Sequence, residues 1–149
     1  MLTLGKYSLG VGDRFAHQAR AQLQACLKAT AEGVEVIPVW NKSNREHVTI
    51  GSEPANVRAA ADAAVRELNW NRPYHVDADH IRRDTVERFV AHSDFFTIDV
   101  ADFIGRPAEA SAVKAFVDRH GELAGKTEIA GIGRPLEMGR AAIESVANQ

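Results

Sequence analysis

Val34-Glu35-Val36-Ile37-Pro38-Val39-Trp40 is an apolar run rich in Val and Ile, and it reads as a buried strand. Its flanks decide the fold. Before it, Phe15, Ala19, Leu23, Cys26 and Leu27 follow helical spacing, so Phe15 to Ala31 reads as a helix. Gly33 stops that helix, as a residue that takes φ > 0 without strain. After the run comes a polar loop, Asn41 to Glu53. Pro54 then opens a second helix to Leu68, with Val57, Ala61, Ala64, Val65 and Leu68 on one side. Further out, Tyr7 to Val11 reads as a first strand ending in a Gly-rich turn, Tyr74 to Ala78 as a third, and Phe95 to Val100 as a fourth. Asp84 is placed to cap a third helix, with Glu87 as its capping-box partner. Ala108 to His120 reads as a fourth helix closed by Gly121, Lys126 to Ile132 as a fifth strand, and Leu136 to Val146 as a last helix.

This alternation predicts an α/β fold of repeated βα units with parallel strands. Doubly wound sheets and (β/α)8 barrels both use the unit, and a complete barrel needs at least about 200 residues. The chain has 149. The expectation is therefore a single α/β domain over residues 1–149: a small complete fold, or a partial, half TIM-type barrel that is a fragment of a larger one.

Composition narrows the function. Eighteen Lys plus Arg against 20 Asp plus Glu leave a net charge of −2, without the basic excess of a nucleic-acid binder. No apolar run is long enough for a transmembrane helix, and Met1 to Leu9 lack the pattern of a signal peptide. The single cysteine, Cys26, excludes an intrachain disulfide and fits a reducing compartment, so a cytoplasmic location is expected. Its place on the apolar side of a helix makes it a core residue.

Ionisable residues gather at the carboxyl ends of the predicted strands, where parallel α/β folds place their sites. Gly12-Asp13-Arg14-Phe15 and His17 follow the first strand, and Trp40-Asn41-Lys42-Ser43-Asn44-Arg45-Glu46-His47 the second. The third runs into His75-Val76-Asp77-Ala78-Asp79-His80, and the fourth carries Thr97, Asp99 and Asp102. Loops are polar in any protein, but Asp77 and Asp99 sit inside apolar strand text, where a carboxylate needs a partner.

Strand alternation puts His75, Asp77 and Asp79 on one face, with His80 at the strand end. Imidazole plus carboxylate suits Zn, Mn, Fe, Co or Ni better than Ca or Mg; a hydrogen-bonded His and Asp network without metal is the alternative. Carboxylates brought together raise one pKa, which suits Asp99 to acid/base work; a salt bridge to Arg14, Arg45 or Lys42 is the competing role. Asn41, Lys42 and Arg45 offer an amide and two cations to a substrate bearing hydroxyls and a carboxylate, or form a solvated loop. Asp13 is a helix cap or a site residue, and His17 faces the strand ends or solvent. His47, His92 and His120 follow no pattern. Gly131-Ile132-Gly133-Arg134 is too short for a phosphate loop.

Four of these segments, in this order, resemble the tagaturonate epimerase family: Gly10-Val11-Gly12-Asp13-Arg14-Phe15-Ala16-His17-Gln18, Pro38 to His47, His75 to Ile81, and Phe95 to Asp102. They cover about residues 7 to 105. The resemblance implies a metal-dependent sugar-acid epimerase that interconverts tagaturonate and fructuronate in hexuronate breakdown. It implies a longer, barrel-like protein, of which this chain matches the N-terminal part of the catalytic region. The two sugar acids differ one carbon beyond the carbon next to the ketone. Deprotonation beside the ketone cannot invert that centre, whereas retro-aldol cleavage, rotation and re-addition can. That route implies a divalent transition metal on His75, Asp77, Asp79 and His80, proton transfer by Asp13, His17 or Asp99, and a carboxylate grip by Lys42 and Arg45.

Two other readings stand beside it. His-x-Asp-x-Asp-His resembles the metallo-β-lactamase pattern, which points to a metal-dependent hydrolase. A truncated barrel that binds sugar acids without catalysis is the other. A half-barrel exposes apolar strand edges, so a homodimer or a missing C-terminal half is expected to cover them.

Overall fold

The computed structural model describes residues 5–129 and 131–147. They fall into two compact units, one up to Asp99 and one from Val100.

The first unit alternates strands and helices: β1 (Ser8–Val11), α1 (Ala19–Ala31), β2 (Ile37–Ser43), α2 (Asn44–Ile50), α3 (Pro54–Glu67), β3 (His75–Ile81), α4 (Glu87–Val90) and β4 (Phe95–Ile98). The four strands form one sheet in the order β1-β2-β3-β4, every pair parallel. Ala19, Leu23 and Cys26 line the buried stripe of α1, and Pro54, Val57, Ala61 and Ala64 that of α3. All of these except Pro54 join Trp40 of β2 and Val76 of β3 in one core cluster. Alternation along β2 and β3 then sends Val39, Asn41, Ser43, His75, Asp77 and Asp79 to the opposite face. On that face Val39 pairs with His75, Asn41 with Asp77 and Ser43 with Asp79. The parallel α/β expectation is met by this unit.

Local chemistry moves several boundaries. The first helix starts at Ala19, not Phe15, because the Asp13 carboxylate takes the N–H groups of Phe15, His17 and Gln18. Those donors hold a turn in which Ala16 has φ 56°, and Phe15 is left exposed. The supposed loop from Asn41 to Glu53 is mostly ordered. Asn41 to Ser43 finish β2, and Ser43 caps α2 through a capping box with Glu46. No such box forms between Asp84 and Glu87: the Thr85 hydroxyl accepts from the Arg82 N–H instead, and α4 is a single turn. Gly12 is fixed by close approach, since a Cβ there would stand 2.4 Å from the Asn41 carbonyl oxygen.

The second unit contains α5 (Ala110–Arg119), β5 (Gly125–Thr127), β6 (Leu136–Met138) and α6 (Arg140–Ala147). It is not a further βα repeat. The β5 strand pairs antiparallel with β6, so Leu136 to Met138 are strand rather than the start of the last helix. Of the expected fifth strand, Ala130 lies outside the described residues. Val113, Val117 and Ile143 form this unit's small core. No helix among the described residues is long and apolar enough to cross a membrane.

Candidate functional site

The β3 strand does not run straight to its end. Ala78 pairs with Phe96 and Ile81 with Ile98, so β3 spends one residue more than β4 over that stretch. This is a β-bulge at Asp79-His80, where His80 takes φ 51°. Bulges re-aim side chains, and a non-glycine residue in the left-handed region stores strain. The side chain of His80 is 67 % exposed, with Nδ1 2.7 Å from Asp79 Oδ1. After the bulge Ile81 returns to the helix side and packs with Ala78 and Phe89.

The bulge lies at a cavity of about 540 Å3 at the carboxyl ends of β2, β3 and β4. Ser43, Asn44, Arg45 and Glu46 line it from the β2–α2 junction, Asp79, His80, Arg82, Asp84 and Thr85 from β3 and the turn after it, and Asp99 from just past β4. Arg82 clamps Asp99, with Nε 3.0 Å and Nη2 2.9 Å from Oδ2. The Glu46 carboxylate takes the Ser43 N–H and hydroxyl at 3.0 Å and lies 3.8 Å from Arg14. Burial opposes its ionisation, but those donors and the nearby cations hold its carboxyl below the usual range. Arg45 joins no ion pair among the described residues, so its guanidinium is the cation available to an anionic ligand.

Four sequence candidates therefore meet here: Arg45, Asp79, His80 and Asp99. The others do not. Asp13 and Asn41 line a separate narrow crevice above α1 and α3. Three backbone donors outweigh the burial of Asp13 and hold its carboxyl low, so it anchors the turn before α1, whose N-cap is Gln18 rather than Asp13. His17 is exposed, 6.2 Å from the Phe15 ring. Lys42 is 2 % exposed on the helix side of the sheet, with Nζ 2.9 Å from Ser52 Oγ. Asp77 is buried and accepts from the Thr97 N–H at 3.1 Å and hydroxyl at 2.8 Å. Burial pushes its carboxyl up against those bonds. His75 sits at the other end of β3, with Nδ1 3.5 Å from Asp94 Oδ2. Its Cα is about 13 Å along the strand from that of Asp79, so alternation puts the two on one face without bringing them together.

Among the described residues, no three His, Cys, Asp or Glu side chains stand close enough to hold a metal ion. Asp79 and His80 offer two neighbouring donors, and a resident zinc takes three or four protein ligands. Among the described residues, these donors do not make a complete metal site.

Sequence reasoning missed Arg82, Asp84 and Thr85, because nothing in the sequence marks the bulge that turns the chain into the cavity. It also passed over His47, which is 1 % exposed, bonded to Ser52 and packed edge-on against Phe89 at 5.6 Å. The Ser43-x-x-Glu46 pattern was the available signal for the helix that carries it.

No curated protein matches this chain. Two solved structures of fructuronate-tagaturonate epimerase UxaE from Cohnella laeviribosi share its fold. With the form carrying two glycerols the TM-score is 0.61 at 20% identity, over 99% of this chain and 32% of that one. With the native form it is 0.58 at 19%, over 95% and 31%. The chain thus spans about a third of the length of the structures it resembles. The family model of tagaturonate epimerase matches residues 1–133, which is most of the sequence. This chain, with its four parallel strands and a polar cavity at their carboxyl ends, belongs to the tagaturonate epimerase family.

Proposed function

We propose that this chain supplies part of the active site of an enzyme that interconverts tagaturonate and fructuronate. The observation that carries the reading is the family match over residues 1–133. The cavity chemistry supports it: one available guanidinium, a clamped carboxylate, two hydroxyls and an amide suit a polyhydroxy acid. In this reading the four-stranded sheet is half of an eight-stranded parallel barrel. The rest of the barrel closes over the face that carries Asn41, Ser43, Asp77 and Asp79. The buried Cys26 thiol fits a cytoplasmic protein.

Arg45 holds the substrate carboxylate. Asp99, aimed by Arg82, takes the proton from the hydroxyl on the carbon that inverts. The bond from that carbon toward the ketone then breaks, giving an aldehyde and an enolate. Rotation of the aldehyde and re-addition form the other epimer, and Asp99 returns the proton. A divalent transition metal (Zn, Mn, Co, Ni or Fe) in the complete enzyme needs donors beyond Asp79 and His80.

The test is proton NMR of tagaturonate with the chain in D2O, alone and with the rest of the barrel from a full-length family member. Fructuronate is expected, with hydrogen retained on the inverted carbon, because the retro-aldol route never breaks that C–H bond. Deuterium on that carbon would overturn the route. No fructuronate in either mixture would overturn the epimerase reading.

A further inference from the structure

The strand that carries Asn41 and Ser43 toward one face carries Lys42 to the other. There its ammonium is buried, with the Ser52 hydroxyl as its hydrogen-bond partner. Ser52 Oγ lies 2.9 Å from Lys42 Nζ and 2.9 Å from His47 Nδ1. An ammonium only donates, so Ser52 accepts from Lys42, and the one hydroxyl proton is left for the imidazole. His47 Nδ1 is then an acceptor, and the ring carries its proton on Nε2. Burial, with Lys42 and Arg88 nearby, pushes the His47 pKa down to about 4, which keeps the ring neutral. Burial also lowers the pKa of Lys42, against the pull of Glu46 and Asp13.

These three groups bracket α2. Lys42 precedes the helix, His47 lies within it, and Ser52 follows it, with the Ser52 N–H bonded to the His47 carbonyl at 3.0 Å. The α4 side adds a second hold: Arg88 Nη1 donates to Asn44 Oδ1 at 2.9 Å, and Arg88 Nη2 lies 2.6 Å from Glu53. Arg45 stands on the first turn of α2 at the cavity, and no ion pair among the described residues fixes its side chain. Its place depends on where α2 sits.

We propose that Lys42, Ser52 and His47 form a directional hydrogen-bond relay that locks α2 to the end of β2 and so keeps Arg45 at the cavity, making Lys42 a positioning residue that does not meet the substrate. The Arg45 half of this inference rests on the sugar-acid reading of the site; the relay does not. A buried ammonium is costly to desolvate, and one use of such a group is to fix a single arrangement. Replacing Lys42 by a group that cannot donate leaves Ser52 free to reverse its bond to His47.

The full chain labelled with 15N-histidine tests the relay. His47 is expected as the Nε2–H tautomer, neutral from pH 8 to pH 5; Ser52→Ala changes its ring-nitrogen shifts and Ser52→Thr restores them. A wild-type ring protonated on Nδ1 would overturn the relay. Calorimetric titration with tagaturonate tests the positioning. Ser52→Ala and Lys42→Met each weaken binding about fivefold, the size of one net hydrogen bond, and Ser52→Thr binds within twofold of wild type. Arg45→Ala binds weakly, and adding Ser52→Ala to it costs little more, because coupled residues are not additive. Fully additive losses would overturn the positioning and leave the sugar-acid reading intact. If wild type binds no tagaturonate, the sugar-acid reading fails, and the histidine spectra with amide exchange across residues 44–50 decide the relay. Exchange there unchanged by Ser52→Ala would overturn it.

Discussion

At the scale of single residues, burial decides the charge state of two titratable groups. Asp77 and His47 are both buried beside the second and third strands, and both are pushed toward their neutral forms. For His47 the folded pKa is about 4 against an ordinary 6.5. The unfolded chain therefore binds the extra proton first as the pH falls, and stability is lost between about pH 6.5 and pH 4. A shift of this size corresponds to an upper value on the order of 3 kcal/mol. Urea unfolding at pH 7.5 and pH 4.5 measures it. Wild type is expected to lose stability across that interval, and His47→Gln, which cannot take the proton, to lose less. An equal loss in the variant would assign the acid sensitivity to other groups. Asp77 runs the opposite way: its raised pKa adds stability as the pH falls.

At the scale of elements, the sequence was legible where one rule governed and misleading where two competed. The buried stripes of α1 and α3 follow from spacing alone. The same capping signature appears at Ser43-x-x-Glu46 and at Asp84-x-x-Glu87, and only the first forms a box. At the second, Thr85 makes the bond to Arg82 and leaves room for a single turn. Alternation correctly put His75, Asp77 and Asp79 on one face, but sharing a face does not bring the ends of a strand together. The site needed the bulge as well, which depends on pairing with β4 and is invisible in β3 by itself. Arg82, rather than Arg14, Arg45 or Lys42, became the partner of Asp99 because the turn after the bulge delivers it there. The strain at His80 gives a direct check. His80→Gly removes the left-handed penalty while raising the entropy of the unfolded chain, so stability stays level or rises by up to about 1 kcal/mol. Under the proposed function, tagaturonate turnover or binding falls, because the imidazole leaves the cavity. Thermal unfolding and binding measured on the same samples separate the two effects. A clear loss of stability would show that the imidazole holds the bulge together.

At the scale of the whole molecule, the first unit has more apolar surface than a finished parallel sheet leaves open. Such sheets are covered on both faces and carry no bare edges in a closed barrel. Here β1 and β4 are both edges. Phe96 and Ile98 pair with Ala78 and Ile81, which pack under Phe89, yet Ile98 is 69 % exposed and Phe96 40 %. Leu9 on β1 is also exposed. A family member with about three times this length has chain to cover those surfaces. This chain by itself is expected to cover them with a second copy, through the β4 edge. Sedimentation velocity over a hundredfold concentration range should then show a coefficient that rises with concentration. Ile98→Lys puts a charge on that edge, where a lysine blocks strand-to-strand association. The variant is expected to stay monomeric throughout, with unchanged helix content by circular dichroism. A parent chain that is monomeric at every concentration would mean that the edges tolerate water, and that the sheet is self-sufficient at four strands.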